Sequence, residues 1–521
     1  MRINVPCTTA YIERECRIMN EISHPRVRSI IFSATMLFAV IAMVFGTIFV
    51  SIAPPFWGND GMSQFARAYQ ISRGHFAPVE INWGDTGKSW GGRIPTDVWN
   101  LYVHTSDDLG KNPAEPAAEI NDIAKYHELG SKKFSSSEQT IVWFTNTASY
   151  SPAAYIPISL TALVAEYVFH ATITQTLWSM AFVSLLCYVI PVALGIFALR
   201  KSRLQWVIFA LGLVPPMMAQ ISSITADSLT NGIAFLFLAL IMKSLIAKQD
   251  LTKFEYAELA FSTLFLPVSK PTYIGLIFLA CAVPLKKFSP LIARLAKAVT
   301  LSVSCALFAW WSVLSADTAT YSAFYRADYS TSTFGLKPSF NWILTHPFGF
   351  IKQLFYAYVY RENFIFMNLI GSSGIRVPDT AMIVSWIAVI VALIAVPYTF
   401  VTVRQRWGLI LSTLATFALI FGSLYISFTP VGFYLLDGVQ GRYFFPLYPL
   451  FAILVLAFTS TRIVPQSLKM KNDLVGDITD DKSSMLALRE QAFNKFGLKT
   501  IVTLSTLALI ATLAKYITVV Y

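Results

Sequence analysis

The chain has 521 residues, of which 55% are hydrophobic and only 13% are charged, whereas soluble proteins average about 25% charged residues. Apolar runs of about 20 residues recur along it, which excludes a soluble globular protein and predicts a polytopic membrane protein. The net charge of +11 does not indicate nucleic-acid binding, because the basic excess lies in short segments between apolar runs, the positive-inside pattern. These segments lie at Arg26–Arg28, Arg200–Arg203, Lys286–Lys297 and Arg404–Arg406.

The N-terminal part predicts one membrane span followed by a large external loop. Residues 1–29 form a polar tail, expected to be cytoplasmic. The run Ile30–Ala53 exceeds a signal-peptide core of roughly 7–15 residues and predicts an uncleaved first transmembrane helix. Residues 54–150 form the first external loop, in which an amphipathic helix over 62–73 is expected to lie on the bilayer surface. Four aromatic residues are expected to anchor this loop at headgroup level, namely Trp83, Trp90, Trp99 and Tyr102.

The rest of the chain predicts a membrane bundle. A second external loop is expected over 317–378, a charged cytoplasmic loop over 464–498 and a final helix over 499–521. The segment 257–285 is broken at Pro267-Val268-Ser269-Lys270-Pro271, which predicts a hairpin entering from the cytoplasmic side. The further apolar segments are 153–169, 175–199, 204–221, 228–247, 297–316, 379–402, 407–429 and 443–463.

The predicted fold is therefore an all-α polytopic membrane protein with about 11–12 transmembrane helices and two structured external loops. Counting crossings from the two ends of the chain gives orientations that disagree by one crossing. Segment 153–169 is the place where a short or re-entrant helix would remove the disagreement. The five cysteines have no zinc spacing, and we expect no disulfide, cofactor or metal.

Two acidic residues are candidate catalytic groups. Asp60 follows the first span, and Asp227 is the only acid between Glu166 and Asp250. A carboxylate at the rim of apolar helices is costly unless it is paired or functional. The structural alternative for each is a helix N-cap, of helix 62–73 for Asp60 and of helix 228–247 for Asp227.

Basic residues at predicted helix ends are candidate substrate-binding groups. Arg442 lies in the sequence Gln440-Gly441-Arg442-Tyr443, where a guanidinium could bind a phosphate with two hydrogen bonds; the alternative is an interfacial anchor. Lys270 in the broken segment is either a functional cation or a structural group that snorkels to the interface or neutralises helix C-terminal carbonyls. Arg93 and Arg361 are weaker phosphate or sugar candidates. Aromatic residues around Arg361 fit sugar stacking or a membrane belt.

These motifs together resemble a bacterial family of predicted membrane proteins, domain of unknown function 2142, over roughly residues 30–463. The resemblance is carried by Asp60, Arg67-Ala68-Tyr69-Gln70-Ile71, Trp90-Gly91-Gly92-Arg93-Ile94-Pro95, Tyr150-Ser151-Pro152, Ser222–Asp227, Lys270 and Gln440-Gly441-Arg442-Tyr443. That family in turn is similar to the C-type (GT-C) glycosyltransferases, which use a polyprenyl-phosphate-linked sugar on the outer membrane face. Their catalytic base is an Asp in the first external loop.

The resemblance implies a multi-pass enzyme of the bacterial cytoplasmic membrane, with a cytoplasmic N-terminus, that moves a sugar to a glycan or lipid acceptor. Asp60 would be the base and Asp227 a second acid or an acceptor-orienting group. Arg442 would be the phosphate clamp, and Gln440 and Tyr443 beside it would contact substrate. Two alternatives remain open, a transporter or flippase for lipid-linked glycans and a non-catalytic membrane partner in polysaccharide assembly.

Overall fold

The computed structural model describes residues 33–58, 60–82, 88–109, 123–134, 138–321, 335–360, 375–397, 401–434, 438–459 and 497–520, together with 333, 369–370 and 436. The predicted tail 1–29, the cytoplasmic loop 464–498 except its last residues, and part of the second external loop lie outside these ranges. Within them, helices dominate and the predicted all-α polytopic class is confirmed.

Helices and a few short strands follow one another in chain order. They are α1 Ala34–Ile52, α2 Gly61–Ser72, β1 Glu80–Asn82, β2 Lys88–Pro95, α3 Thr96–Leu109, α4 Ile123–Ser131, β3 Gln139–Trp143, α5 Thr145–Ala148, α6 Ile156–Tyr167, α7 Ile173–Ala198, α8 Leu204–Gly212, α9 Pro215–Ile221, α10 Asp227–Leu245, α11 Lys253–Ser269, α12 Ile274–Ile277, α13 Pro290–Leu314, α14 Ala316–Tyr321, α15 Leu336–Thr345, α16 Pro347–Tyr360, β4 Leu369–Ile370, β5 Ile375–Arg376, α17 Asp379–Ile394, α18 Val403–Phe428, α19 Tyr448–Thr459 and α20 Leu498–Val520.

Seven helices in the described ranges are long and apolar enough to cross a membrane: α1, α7, α10, α13, α18, α20 and the run Gly441–Thr459 that contains α19. Helices α8 and α9 pass the same test as a pair bent by 61°. Three predicted apolar segments, 153–169, 257–285 and 379–402, contain shorter apolar helical segments. These are α6, Pro271–Ala282 and α17. Capping boxes at Thr172, Thr252 and Thr402 begin α7, α11 and α18, which satisfies backbone donors where each helix starts.

The bundle has two chemically different ends, which we call the loop end and the basic end. The loop end carries the loop over 54–150, which was predicted to be external: Thr172, which caps α7, forms a β-bridge with Lys133 of that loop. Helix α7 finishes at the basic end, just before Arg200, and Lys243 at the far end of α10 pairs there with Glu255 at 2.6 Å. The basic segments therefore gather opposite the loop, as the positive-inside pattern predicts.

Helix α6 resolves the disagreement between the two crossing counts. Ser159 near its start donates a hydrogen bond to the carbonyl of Ala68 in the external loop, 2.8 Å away. Glu166 near its end pairs with Arg73 of the same loop. Because both of its ends contact the loop, α6 stays at the loop end instead of crossing the bundle. The short-helix alternative is therefore the one observed, and Arg200–Arg203 lies opposite the loop.

The broken segment 257–285 folds back on itself as a hairpin. The Tyr256 hydroxyl donates to the carbonyl of Pro284 at 2.9 Å, so the start of α11 and the end of the return segment meet at the basic end. Helix α11 ends at Ser269, and the chain reverses at Lys270 before the 3-10 turn Pro271–Tyr273. Lys270 is therefore the tip of a hairpin that reaches across the bundle, as its two flanking prolines suggested.

The first external loop packs differently from the prediction. Helix α2 is not an interfacial helix on the bilayer: its residues from Gly61 to Ile71 are buried, apart from Ser63. It is covered by α6 and by a three-stranded antiparallel sheet, β1-β2-β3, which the sequence analysis did not predict. Trp90 on β2 is 8% exposed and belongs to this loop's core, so its predicted role as a headgroup anchor was wrong. The row of exposed apolar side chains lies instead on α6, at Ile156, Leu160, Val164 and Tyr167.

Candidate functional site

Asp60 occupies the turn between the first span and α2. Its backbone is left-handed, with φ 57° and ψ 28°, and it stands at the N-cap position of α2 without making a side-chain cap hydrogen bond. The N-cap position expected from sequence is thus observed, but the carboxylate points elsewhere. A Cβ on the next residue, Gly61, would lie 2.2 Å from the carbonyl oxygen of Phe56. The tight turn that presents Asp60 therefore requires glycine after it.

The carboxylate of Asp60 pairs with Arg442, 382 residues away in the chain. Arg442 Nη2 lies 2.5 Å from Asp60 Oδ2. Arg442 sits in the 3-10 turn Gly441–Leu447, directly before α19. Its side chain is 4% exposed, whereas that of Asp60 is 33% exposed. The pair therefore holds a half-exposed acid against a deeply buried cation.

A second ion pair joins the other two predicted charges. Lys270 Nζ at the hairpin tip lies 2.9 Å from Asp227 Oδ1 on the first residue of α10. Gln220 Nε2 donates to the other carboxylate oxygen of Asp227 at 3.2 Å. Both charged side chains are buried, and charges buried this deeply require such partners. Asp227 is not the N-cap of α10, since that position belongs to Ala226.

Three tyrosine rings surround the Lys270 ammonium. The ring centroids of Tyr443, Tyr150 and Tyr273 lie 4.8, 5.3 and 6.0 Å from Nζ, within the range of cation–π attraction. Tyr443 also lies 5.4 Å from the guanidinium carbon of Arg442, so this ring stands between the two cations. Burial raises the pKa of the Tyr150 phenol well above its ordinary value, which keeps it neutral. The ring cage and the two ion pairs therefore form one connected cluster.

A cavity of about 410 Å³ opens beside this cluster. Asp60, Lys270, Gln440 and Tyr443 line it, whereas Arg442 and Asp227 are not among its lining residues. The remaining lining groups are of two kinds. Hydroxyl and amide groups come from Thr145, Asn146, Ser149, Ser312, Ser315, Thr318, Ser423 and Ser427, and apolar groups come from Ile420, Leu424, Ile426 and Phe428. The cavity thus presents a charged wall, a hydroxyl-rich wall and an apolar wall.

One polar atom on the cavity wall is left without a partner. The side-chain oxygen of Asn146 is buried and accepts no hydrogen bond from the residues that the structure describes. A buried acceptor in that state costs about 1–3 kcal/mol. A bound hydroxyl group would remove this cost.

Arg67 on α2 ties the external loop to the site. Its guanidinium is fully buried and donates to the carbonyls of Phe76 at 2.7 Å and Tyr150 at 3.2 Å, and also to Gln70. Burial lowers the pKa of Arg67 to about 10, which leaves the group charged at neutral pH. On the same helix, Gln64 accepts from the Tyr155 hydroxyl at 2.5 Å and from the amide of Ala226 at 3.3 Å. Helix α2 therefore fixes both Tyr150 and the residue before Asp227.

The structure brings six of the eight predicted site residues together: Asp60, Asp227, Lys270, Gln440, Arg442 and Tyr443. Arg93 is exposed on β2 opposite Ile141 and does not line the cavity. Arg361 lies outside the described residues. Asn146 was not predicted from sequence, where its only signal is a polar residue shortly before an apolar segment. Gln220 was likewise given no role, although it precedes the Ser222–Asp227 motif.

No group of three or more His, Cys, Asp or Glu residues placed to hold a metal ion occurs in the part of the chain that the structure describes. The described residues that line the cavity offer one carboxylate, one ammonium, aromatic rings, hydroxyl groups and the amides of Asn146 and Gln440.

Comparison with known proteins gives a family and no closer relative. No curated protein and no solved structure matches the chain. The model of the family described as "Predicted membrane protein (DUF2142)" matches residues 43–451. This range includes α2, the hairpin and the turn that holds Arg442, so every residue of the two ion pairs falls inside it. The chain belongs to the DUF2142 family of predicted membrane proteins.

Proposed function

We propose that the protein is a membrane glycosyltransferase that moves a sugar from a polyprenyl-phosphate donor to a glycan or lipid acceptor. One observation carries the proposal: Asp60, positioned by Arg442, stands on the wall of a 410 Å³ cavity that it shares with Lys270. A base and a cation facing one cavity are what sugar transfer from a lipid phosphate requires. By this proposal the loop end faces outward from a bacterial cytoplasmic membrane, and the N-terminus lies in the cytoplasm.

The donor would bind by its phosphate and its lipid chain. Lys270 is the cation that lines the cavity, so we assign the direct phosphate contact to it, with Arg442 adding positive charge from behind Asp60. Asp227, expected from sequence to be a second acid or an acceptor-orienting group, would instead position Lys270 from outside the cavity. The polyprenyl chain would lie along the apolar wall of Ile420, Leu424 and Phe428, contributed by α18.

The reaction would be one in-line displacement. An acceptor hydroxyl attacks the anomeric carbon, its proton passes to Asp60, and the bond between the anomeric carbon and the phosphate oxygen breaks. The electron pair of that bond leaves with the lipid phosphate, whose charge becomes more negative by one. General base catalysis of this kind contributes about 10²–10⁴-fold. Cations aimed at the phosphate stabilise the charge that develops in the transition state. The anomeric configuration would invert.

The hydroxyl-rich wall would hold the sugar groups. The buried oxygen of Asn146 would accept a hydrogen bond from a sugar hydroxyl. An enzyme needs these groups at the cavity; a scaffold protein for polysaccharide assembly does not.

Transfer from polyprenyl-phosphate sugars to envelope glycans, measured in proteoliposomes, tests the proposal. The Asp60→Asn variant should lose about 10²–10⁴-fold in turnover while still binding the donor. Asp97→Asn is the matched control, because Asp97 pairs with Lys132 at the loop surface and not at the cavity. Full activity of Asp60→Asn would exclude Asp60 as the base. Donor movement across the bilayer without transfer would support a transporter instead.

A further inference from the structure

A second cavity lies at the basic end, far from the candidate site. It has a volume of about 310 Å³ and lies between the hairpin and α13. The length of α11 puts about 25 Å between Lys253, at the basic end of this cavity, and Lys270 in the candidate site. Its walls are mostly apolar and include Leu259, Ala260, Leu285, Ala296 and Leu301. The polar residues that line it are Lys253, Lys297, Tyr256, Thr263 and Thr300. The volume is at the lower end of the range of about 300–1,000 Å³ seen for small-molecule pockets.

The cavity faces the surroundings of the bundle instead of its centre. Helix α13 is exposed along most of its length, and only Ser304 and Trp311 on it are buried. The Ser304 hydroxyl donates to the carbonyl of Thr263 at 2.7 Å and fastens α13 to α11 in mid-helix. Nearer the basic end, Lys297 Nζ donates to the carbonyl of Cys281 at 2.8 Å. The cavity opens between these two attachments, where the apolar part of a lipid would lie.

Lys253 and Lys297 bring two ammonium groups to the apolar walls. Neither forms an ion pair with a carboxylate in the described ranges. The neighbouring residues Lys287 and Arg294 are exposed and add positive charge, and Lys286 pairs with Asp250 at 2.8 Å. Lys297 is partly buried, where an ammonium is costly without an anion beside it, and the exposed Lys253 adds positive charge at the same cavity. Basic pockets between helices at such an end of a membrane protein are typical sites for anionic lipid headgroups.

We infer that this cavity is a binding site for one anionic phospholipid, with an acyl chain in the apolar space and the phosphate between Lys253 and Lys297. The ligand is a lipid and not a soluble phosphate, because the two ammonium groups belong to a cavity whose remaining wall is mostly apolar. From sequence, Lys297 served only as part of a basic segment that orients the chain, and Lys253 was given no role. In this assignment they form a site that is independent of the reaction at the loop end.

Native mass spectrometry of the full-length protein, released from nanodiscs of mixed phosphatidylglycerol and phosphatidylcholine, tests the inference. The unchanged protein should retain one phosphatidylglycerol in preference to phosphatidylcholine. The variant K253Q/K297Q should lower the affinity for phosphatidylglycerol about 30-fold, because each lysine at an anionic headgroup contributes roughly fivefold. The control K201Q/R404Q removes the same charge from basic segments outside the cavity lining and should change retention little.

A second variant tests the part of the site that would hold the acyl chain, without changing its charge. Ala296→Phe adds a ring at an exposed position that lines the cavity, so it should reduce retention without unfolding the protein. Three outcomes would overturn the inference: no preference for phosphatidylglycerol in the unchanged protein, equal losses in K253Q/K297Q and K201Q/R404Q, or full retention in Ala296→Phe. A cavity filled by another segment of this chain would give the first of these outcomes.

Discussion

Removing either partner of the Asp60–Arg442 ion pair should destabilise the fold, but by different amounts. Removing the acid with Asp60→Asn leaves the Arg442 guanidinium, 4% exposed, without the carboxylate that it contacts at 2.5 Å. Removing the guanidinium with Arg442→Gln leaves the Asp60 carboxylate, which is 33% exposed and borders the cavity. A carboxylate in that position can be hydrated, whereas the buried guanidinium cannot. We therefore expect Asp60→Asn to destabilise the fold more than Arg442→Gln.

The magnitudes follow from this difference in burial. Breaking a buried pair so that a charge stays buried costs about 3–5 kcal/mol, and Asp227 nearby offsets part of the Arg442 charge. We expect about 3 kcal/mol for Asp60→Asn. The half-exposed carboxylate left by Arg442→Gln should cost only about 1 kcal/mol, near the scale of exposed pairs. The double variant should cost about 2 kcal/mol, which gives a coupling energy of about 2 kcal/mol, within the range for residues in contact.

Denaturant unfolding of the four proteins in one detergent measures these differences as a double-mutant cycle. Sugar-transfer turnover is measured on the same four proteins. Asp60→Asn and the double variant should lose it, and Arg442→Gln should retain part of it. Equal or greater destabilisation by Arg442→Gln would refute the reasoning, because the guanidinium would then contribute more than it costs to bury. A coupling energy near zero would show that the pair does not hold Asp60 in place.

Three further predictions address the surroundings of the site. Replacing the Lys270–Asp227 pair by Met and Leu should leave the free energy of unfolding within about 2 kcal/mol of that of the unchanged protein, since apolar pairs often substitute well for buried ion pairs. The same variant should lose donor binding, measured by photocrosslinking. Retained binding would show that the pair is structural only. Arg67→Lys should destabilise by about 3 kcal/mol in the same unfolding assay, because lysine cannot make the two-pronged contacts to backbone carbonyls; a change below about 0.5 kcal/mol would contradict this. Gly61→Ala should lower both stability and turnover, because its Cβ would meet the Phe56 carbonyl, whereas Gly422→Ala in α18, with open space around it, should be neutral or stabilising by up to about 1 kcal/mol; equal effects of the two would refute the steric argument.

The positions of the four charges were readable from sequence, but their pairing was not. A charged residue at the edge of a long apolar run is conspicuous because the membrane penalises it, which is why Asp60, Asp227, Lys270 and Arg442 could be singled out. Asp60 and Arg442 are 382 residues apart, and Lys270 reaches Asp227 only because the hairpin folds back. No local pattern encodes which acid meets which base. The predicted free phosphate clamp at Arg442 therefore turned out to be the partner of the predicted base.

The external loop shows a second limit of sequence patterns. An amphipathic pattern indicates that one face of a helix is apolar, which led to the wrong prediction of a bilayer surface for α2. It does not reveal that the polar face is covered as well. On the polar face of α2, Arg67 donates to the carbonyl of Phe76 and Gln70 donates to the carbonyl of Gly91. Strand β2 was missed for a related reason, since Gly91 and Gly92 interrupt the alternation of apolar and polar residues by which strands are recognised.

The paired arrangement also bears on how charge would move in the proposed reaction. The two acids and two bases of the cluster cancel, which allows them to stay buried. When Asp60 takes the acceptor proton it becomes neutral, so Arg442 loses its counter-ion at the moment when the leaving phosphate gains a negative charge. The positive field of Arg442 would then act on the phosphate, while Asp227 continues to neutralise Lys270. The charges of the Asp60–Arg442 pair would therefore stabilise the transition state more than the resting protein. Only contacts that are stronger in the transition state accelerate a reaction.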